Sequence, residues 1–149
     1  MNKESSEYTI IDAKNHVAGR LASVVAKRLL KGERIVIVNA EKAVIIGDRL
    51  RVINKFKKRL TWRTYYNPEK VGPKLPVRPD RILKRMIRGM LPRKQYKGRI
   101  ALKRLRVYIG VPDEFKDKPK EVVQEAVKPL DKYKYVYLEE VAKSIGWNP

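Results

Sequence analysis

A strand, a helix and a second strand are written into residues 8–39, and this succession constrains the fold more than any other feature of the chain. Tyr8-Thr9-Ile10-Ile11-Asp12-Ala13 is a short apolar run, and after the turn Lys14-Asn15-His16 the apolar spacing changes to a period near 3.6 residues. Leu21, Val24, Val25 and Leu29 share one side, filled in by Ala22 and Ala26, while Arg20, Ser23, Lys27 and Lys31 take the other. Gly32 stands where a helix stops in a left-handed residue. Arg34-Ile35-Val36-Ile37-Val38-Asn39 is apolar on both faces, as a covered parallel strand is. The βαβ unit so formed predicts an α/β fold.

The rest of the chain continues the alternation without an internal repeat or a second domain, so residues 1–149 read as one domain. Ala43 to Ile46 is an aliphatic run closed by Gly47, and Asp48 is expected to cap a helix over about 49–60. There Leu50, Ile53, Phe56 and Leu60 are expected to dock, leaving Arg51, Lys55, Lys58 and Arg59 free. Residues 61–79 have no period, four prolines and interleaved aromatic and basic residues, and read as an extended basic arm that is mobile without a partner. Asp80 to Leu91 is the cleanest amphipathic helix: Ile82, Leu83, Met86, Ile87, Met90 and Leu91 on one stripe; Arg81, Lys84, Arg85 and Arg88 opposite. Pro92 ends it, and a short basic helix is expected within 93–104 before a strand at Leu105 to Ile109. In the tail the pattern predicts a helix over about Pro119 to Val127, a strand at Tyr133 to Tyr137, and a closing helix ended by Gly146.

Charge then narrows the function. The chain carries 36 Lys and Arg against 16 Asp and Glu, a net +20. Residues 47–106 hold 21 of those cations against only Asp48, Glu69 and Asp80, a net +18, whereas residues 107–149 carry a net −1, and 113–149 read as a near-neutral C-terminal extension. One-signed blocks repel themselves unless a counter-charge is present, which points to a polyanion, normally nucleic acid inside a cell. No cysteine and a single histidine, His16, exclude zinc and iron–sulfur sites, thiol catalysis and disulfides, so no metal or cofactor is expected. The longest purely aliphatic runs, Ile35 to Val38 and Val44 to Ile46, are too short to span a bilayer, and the amino-terminal MNKESSEYTIIDAKN lacks the apolar stretch of a signal peptide. A soluble intracellular protein is the expectation, with no membrane partner.

A βαβ unit also raises the alternative of a Rossmann-like nucleotide-dependent RNA-processing enzyme. The turn after the first strand, Lys-Asn-His-Val-Ala-Gly-Arg, holds one glycine, Gly19, and neither phosphate-cradling glycine motif. His16 near a helix start is a candidate general base, but no nucleophile elbow or orienting carboxylate accompanies it, and a turn histidine beside RNA or in solvent is the simpler reading. Asp48 and Asp80 read as helix caps rather than as a catalytic pair. What the middle of the chain does hold is Lys and Arg for phosphates, with Trp62, Tyr65, Tyr66 and Tyr96 either packed inside or available to stack on unpaired bases. With no helix-turn-helix spacing and no zipper, spread-out basicity with an arm suits folded RNA better than duplex DNA.

IDAKNHVAGRLASVVAKRLLKG, VNAEKAVIIG and IRGMLPRKQYKGRIALKRLRVYIGVP together resemble the ribosomal protein L-thirteen family of the large subunit, over about residues 8–112. Arg88-Gly89-Met90-Leu91-Pro92, Gly98 and the segment ending at Gly110 carry most of the likeness. The direct connection Leu30-Lys31-Gly32-Glu33-Arg34 resembles the archaeal and eukaryotic branch. The resemblance implies a three-layer α/β/α fold around a mainly parallel sheet and no enzymatic activity. It also implies a cytoplasmic, ribosome-bound monomer that binds and assembles large-subunit ribosomal RNA beside neighbouring large-subunit proteins. With the charge block, it assigns Arg20, Lys58, Arg59, Arg63, Arg85, Arg88, Arg93, Lys94, Lys97 and Arg99 to phosphates and Tyr65 and Tyr66 to the RNA surface. The near-neutral tail is expected to pack on the domain or on a protein neighbour.

Overall fold

The computed structural model describes residues 7–149; residues 1–6 of the stretch read for a targeting signal lie outside the described residues. In order the chain forms β1 (Thr9–Asp12), α1 (Ala18–Leu30), β2 (Ile35–Val38), β3 (Val44–Ile46), α2 (Arg49–Leu60), α3 (Pro79–Gly89), α4 (Tyr96–Lys103), β4 (Leu105–Val107), β5 (Tyr135–Tyr137) and α5 (Leu138–Ser144). The fold is α/β: β1, β2 and β4 make a parallel sheet in the order β1-β2-β4, and β3 pairs antiparallel with β5 in a second, two-stranded sheet.

Alternation along the strands assigns the two faces of the parallel sheet. Ile11, Ile35 and Ile37 face a core built with Leu21, Val25 and Leu29 of α1 and with Leu83 and Ile87 of α3. Ile10, Val36 and Val38 face the other way, onto Phe115 at a single 3₁₀ turn, with Tyr108 and Val111 packed against them. All four residues of β2 are buried, which explains why its sequence has no polar face. β4 ends at Val107 and is shorter than the Leu105 to Ile109 strand the sequence suggested, although the Tyr108 N–H still donates to the Ile37 carbonyl at 2.8 Å.

Several expectations are corrected. Pro119 to Val127 is not a helix; apart from one 3₁₀ turn at Gln124–Ala126 it runs irregularly across the outer edge of β1. The Asp12 N–H donates to Glu121 O (3.1 Å) and the Glu121 N–H to Ile10 O (2.8 Å), so an edge strand that would otherwise present open backbone groups recruits the tail. Arg28 of α1 clamps the same point, its guanidinium fork meeting Glu121 at 2.8 and 3.2 Å while Nε donates to Glu33 at 2.8 Å. The Glu121 bond, with Glu33 adding to it against some desolvation, raises Arg28 above its ordinary arginine pKa.

On α2 the buried residues are Val52 and Ile53, with Phe56 partly covered, whereas Leu50 is 70% exposed and Leu60 is also exposed. Val136 of β5 and Val141 of α5 form the seat and select that face. Neither carboxylate caps its helix through the side chain. Asp48 occupies the N-cap position but lies 3.9 Å from Lys134, and Asp80 follows Pro79 inside the first turn of α3, accepting from Arg78 at 3.2 Å. A negative charge there still favours the helix through its dipole.

His16 is not the solvated turn residue expected from the sequence. It is 1% exposed, donating from Nδ1 to Lys14 O (2.9 Å) and accepting at Nε2 from the Val123 N–H (3.0 Å), which sets its tautomer. It locks the tail to the β1–α1 turn. Replacing His16 by Ala is expected to lower unfolding free energy by about 2–3 kcal/mol, because the Val123 N–H stays buried without an acceptor. Urea unfolding measures this; a loss below about 0.5 kcal/mol would remove the lock from the account.

Candidate nucleic-acid interface

The basic surface is assembled by the apolar faces behind it. Pro79 is pre-set for the first position of α3, and Ile82, Leu83 and Ile87 bury against the core, so Arg81, Lys84 and Arg85 point away from it. α3 ends at Gly89, Leu91 just beyond it is buried, and α4 turns back with Gly98 pressed on Pro92. A Cβ at Gly98 would lie 2.2 Å from the Pro92 carbonyl oxygen, so only glycine lets α4 come this close. Between α3, α4 and Lys74 to Pro76 of the arm opens a groove of about 850 Å³.

Nine of the residues lining this groove are cations: Lys74, Arg81, Lys84, Arg85, Arg88, Arg93, Arg99, Lys103 and Arg106. No carboxylate lines it, and none of the nine forms an ion pair among the described residues. Their mutual repulsion is visible at Arg88, whose pKa is pushed below the ordinary arginine value, first by Arg93, then by desolvation and by Arg85.

The segment between α2 and α3 has no regular element, as the sequence suggested, but it folds back on itself. The Lys70 and Val71 N–H groups donate to Asn67 O at 3.0 and 2.9 Å, the Thr64 hydroxyl donates to Tyr66 O at 2.9 Å, and Gly72 supplies a φ of +106°. Arg85 Nη2 donates to Lys74 O at 3.0 Å and fastens the base of this turn to α3. The aromatics in question are outside the core: Tyr65 is 110% and Tyr66 80% exposed, and Trp62 and Tyr96 are exposed as well.

Of the residues assigned from sequence, the groove gathers Arg85, Arg88, Arg93 and Arg99. Lys94 and Lys97 are exposed on the α3–α4 connection and the first turn of α4, while Arg63, Tyr65 and Tyr66 lie on the folded-back arm. Lys58 is exposed on α2, and Arg59 lies over the Phe56 ring, 5.5 Å from its centroid. Arg20 is exposed in the first turn of α1, apart from the groove lining. The groove also draws in Lys74, Arg81, Lys84, Lys103 and Arg106, which lie outside that assignment. The helical period already aligns Arg81 and Lys84 with Arg85 and Arg88, whereas Lys74, Lys103 and Arg106 meet them only through tertiary packing.

The crevice at the carboxyl ends of the strands, where open α/β sheets bind ligands, is sealed by the chain itself. The Val17 N–H at the start of α1 donates to Ala126 O (2.9 Å), and the Val44 N–H to His16 O (2.9 Å). Asn39, in the left-handed region at φ 55°, donates from Nδ2 to Asp12 Oδ1 (3.0 Å), and Glu41 Oε2 accepts from the Gly110 N–H (3.0 Å). Asn39 and Glu41 of the Asn-Ala-Glu-Lys segment thus have a structural reason for their identity. Among the described residues no group of three or more His, Cys, Asp or Glu is placed to hold a metal ion, and no helix is long and apolar enough to cross a membrane.

An α/β scaffold with its strand-end crevice closed and a carboxylate-free cationic groove on its surface has the electrostatics to attract a polyanion. A family model described as Ribosomal protein L13 matches residues 6–114. The large ribosomal subunit protein uL13 of Pyrobaculum islandicum is 57% identical over 147 residues, covering 93% of this chain and 78% of the relative. The uL13 proteins of Archaeoglobus fulgidus and Methanopyrus kandleri are 46% identical over 145 residues (95% and 89% covered) and 45% identical over 147 residues (97% and 90% covered). The chain belongs to the ribosomal protein L13 family and is not an enzyme.

Proposed function

We propose that the chain is a structural constituent of the large ribosomal subunit in the cytoplasm, where it binds and stabilises folded large-subunit ribosomal RNA beside neighbouring large-subunit proteins. The observation that carries this reading is the groove of nine cations without a carboxylate. Arg85, Arg88, Arg93 and Arg99 meet phosphates there, Lys94 and Lys97 extend the contact along α4, and Arg63 with Tyr65 and Tyr66 brings the arm onto the RNA surface. Arg59 meets the RNA where α2 adjoins the groove, and Lys58 and Arg20 engage more distant strands of the same folded RNA. The tail, clamped to β1 and α1 by Arg28 and His16, holds the scaffold and contributes no phosphate contacts.

Binding of the purified chain to large-subunit ribosomal RNA, with transfer RNA and duplex DNA as competitors across a salt series, tests this. If about six groove cations neutralise phosphates, log affinity should fall with log salt at a slope of roughly −4 to −5. Preference for the ribosomal RNA should survive at the high-salt end, because shape and base contacts release no counterions. Equal affinity for all three polymers at every salt concentration would overturn the proposal.

A further inference from the structure

We propose that an apolar cavity beside the cationic groove receives a single unstacked nucleobase of the bound RNA; this rests on the reading of the groove as an RNA site. The cavity, about 160 Å³, lies between α2, α3 and the arm, with walls that include Phe56, Leu75, Pro76 and Met86. Apolar cavities near 150 Å³ accommodate one benzene-sized ring, so the space suits a base without its sugar. Leu75, Pro76 and Arg85 line both this cavity and the groove. A backbone whose phosphates follow the groove therefore passes the cavity mouth, and a base turned out of its stack enters without a detour.

The charge and rigidity of the rim favour this occupant. The charged groups at the cavity are Arg59 and Arg85, two planar guanidiniums able to stack on a base or donate to its edge, with no carboxylate beside them. Both are held before anything binds, Arg59 over the Phe56 ring at 5.5 Å and Arg85 by its hydrogen bond to Lys74 O at 3.0 Å. An aliphatic side chain from a neighbouring protein would find the apolar walls but leave both guanidiniums unanswered, whereas a base uses the walls and the rim together.

The test is ultraviolet cross-linking of the full chain to large-subunit ribosomal RNA, mapped by mass spectrometry, with affinity measured in parallel. A nucleotide attached at Phe56 or Met86 is expected, in addition to attachments along the groove. Met86→Trp, which fills the cavity, should abolish the cavity cross-link, keep those of the groove, and weaken binding about tenfold. Leu75→Trp fills the same space from the irregular arm and replaces it should Met86→Trp fail to fold. Wild-type cross-links confined to groove residues, unchanged affinity of a folded cavity-filled variant, or cavity cross-links in assembled subunits that lead to protein would each overturn the inference while leaving the groove as an RNA site. Loss of ribosomal RNA preference in the wild type itself would instead remove the underlying reading.

Discussion

The double substitution Arg85→Glu with Arg88→Glu is expected to weaken binding to large-subunit ribosomal RNA by about 100-fold or more near 0.1 M salt, and to reduce the steepness of the salt dependence by about 2 in log–log slope. Each reversal removes one of the phosphate contacts proposed above and puts a negative charge into a groove that has none. Stability should move the other way. Arg88 is crowded by Arg93 and Arg85, its depressed pKa being the sign of that crowding, so reversing two of these charges relieves repulsion in the free chain. The melting temperature of the unbound variant should hold or rise as affinity collapses. Because Arg85 also fastens Lys74 O, the pair Arg88→Glu with Arg93→Glu serves as the control that leaves the arm tethered. Affinity within twofold of wild type in both pairs would remove these residues from the interface.

Gly98→Ala should be the most damaging single-methyl change in the molecule. Helix propensity alone argues for the opposite sign, since alanine is favoured over glycine by about 1 kcal/mol inside a helix. The added Cβ, however, would stand 2.2 Å from the Pro92 carbonyl oxygen and 2.5 Å from its carbon, both backbone atoms of the α3–α4 connection. Neither is the end of a flexible side chain, so α4 must move away, at a cost of about 3 kcal/mol or more. Arg99 and Lys103 move with it, and RNA affinity should fall even under conditions where the variant is fully folded. Denaturant unfolding decides between the two signs: a more stable Gly98→Ala would mean that α4 does not press on Pro92 as described.

What was legible in the sequence were elements whose partners lie close along the chain. The period of Leu21, Val25 and Leu29 and the two-sided apolar run of β2 declare a βαβ unit because each satisfies its own local geometry. The stripe through Ile82, Leu83 and Ile87 locates α3 and, on its other side, part of the groove. The errors share a different cause. Leu50 was expected inside because the 100° wheel admits two overlapping apolar arcs on α2, and Val136 and Val141, some ninety positions away, choose between them. The tail reads as helical in isolation, yet Glu121 gains more by pairing with the open edge of β1, a backbone interaction that leaves no side-chain pattern. His16 looked like a surface or reactive residue until Val123, 107 positions on, supplied the donor that explains its burial. For the cationic groove, charge density points to the middle of the chain, while the convergence of Lys74, Lys103 and Arg106 on Arg88 depends on how α4 folds back over Pro92.

The strand order β1-β2-β4 bears on how the chain reaches its native state. Pairing Ile35 with Leu105 closes a loop that contains α2, the arm, α3 and α4, and with them nearly all of the +18 carried by residues 47–106. Nonlocal closures of this kind dominate the folding barrier, because their entropy is lost before the contacts that reward it have formed. Here the closing loop must also gather like charges into one neighbourhood, a term that mobile ions attenuate over about 10 Å at 0.1 M salt. Added salt therefore lowers the barrier to forming the sheet even as it loosens the grip on a polyanion, and the kinetics of folding and the thermodynamics of binding respond to ionic strength with opposite sign.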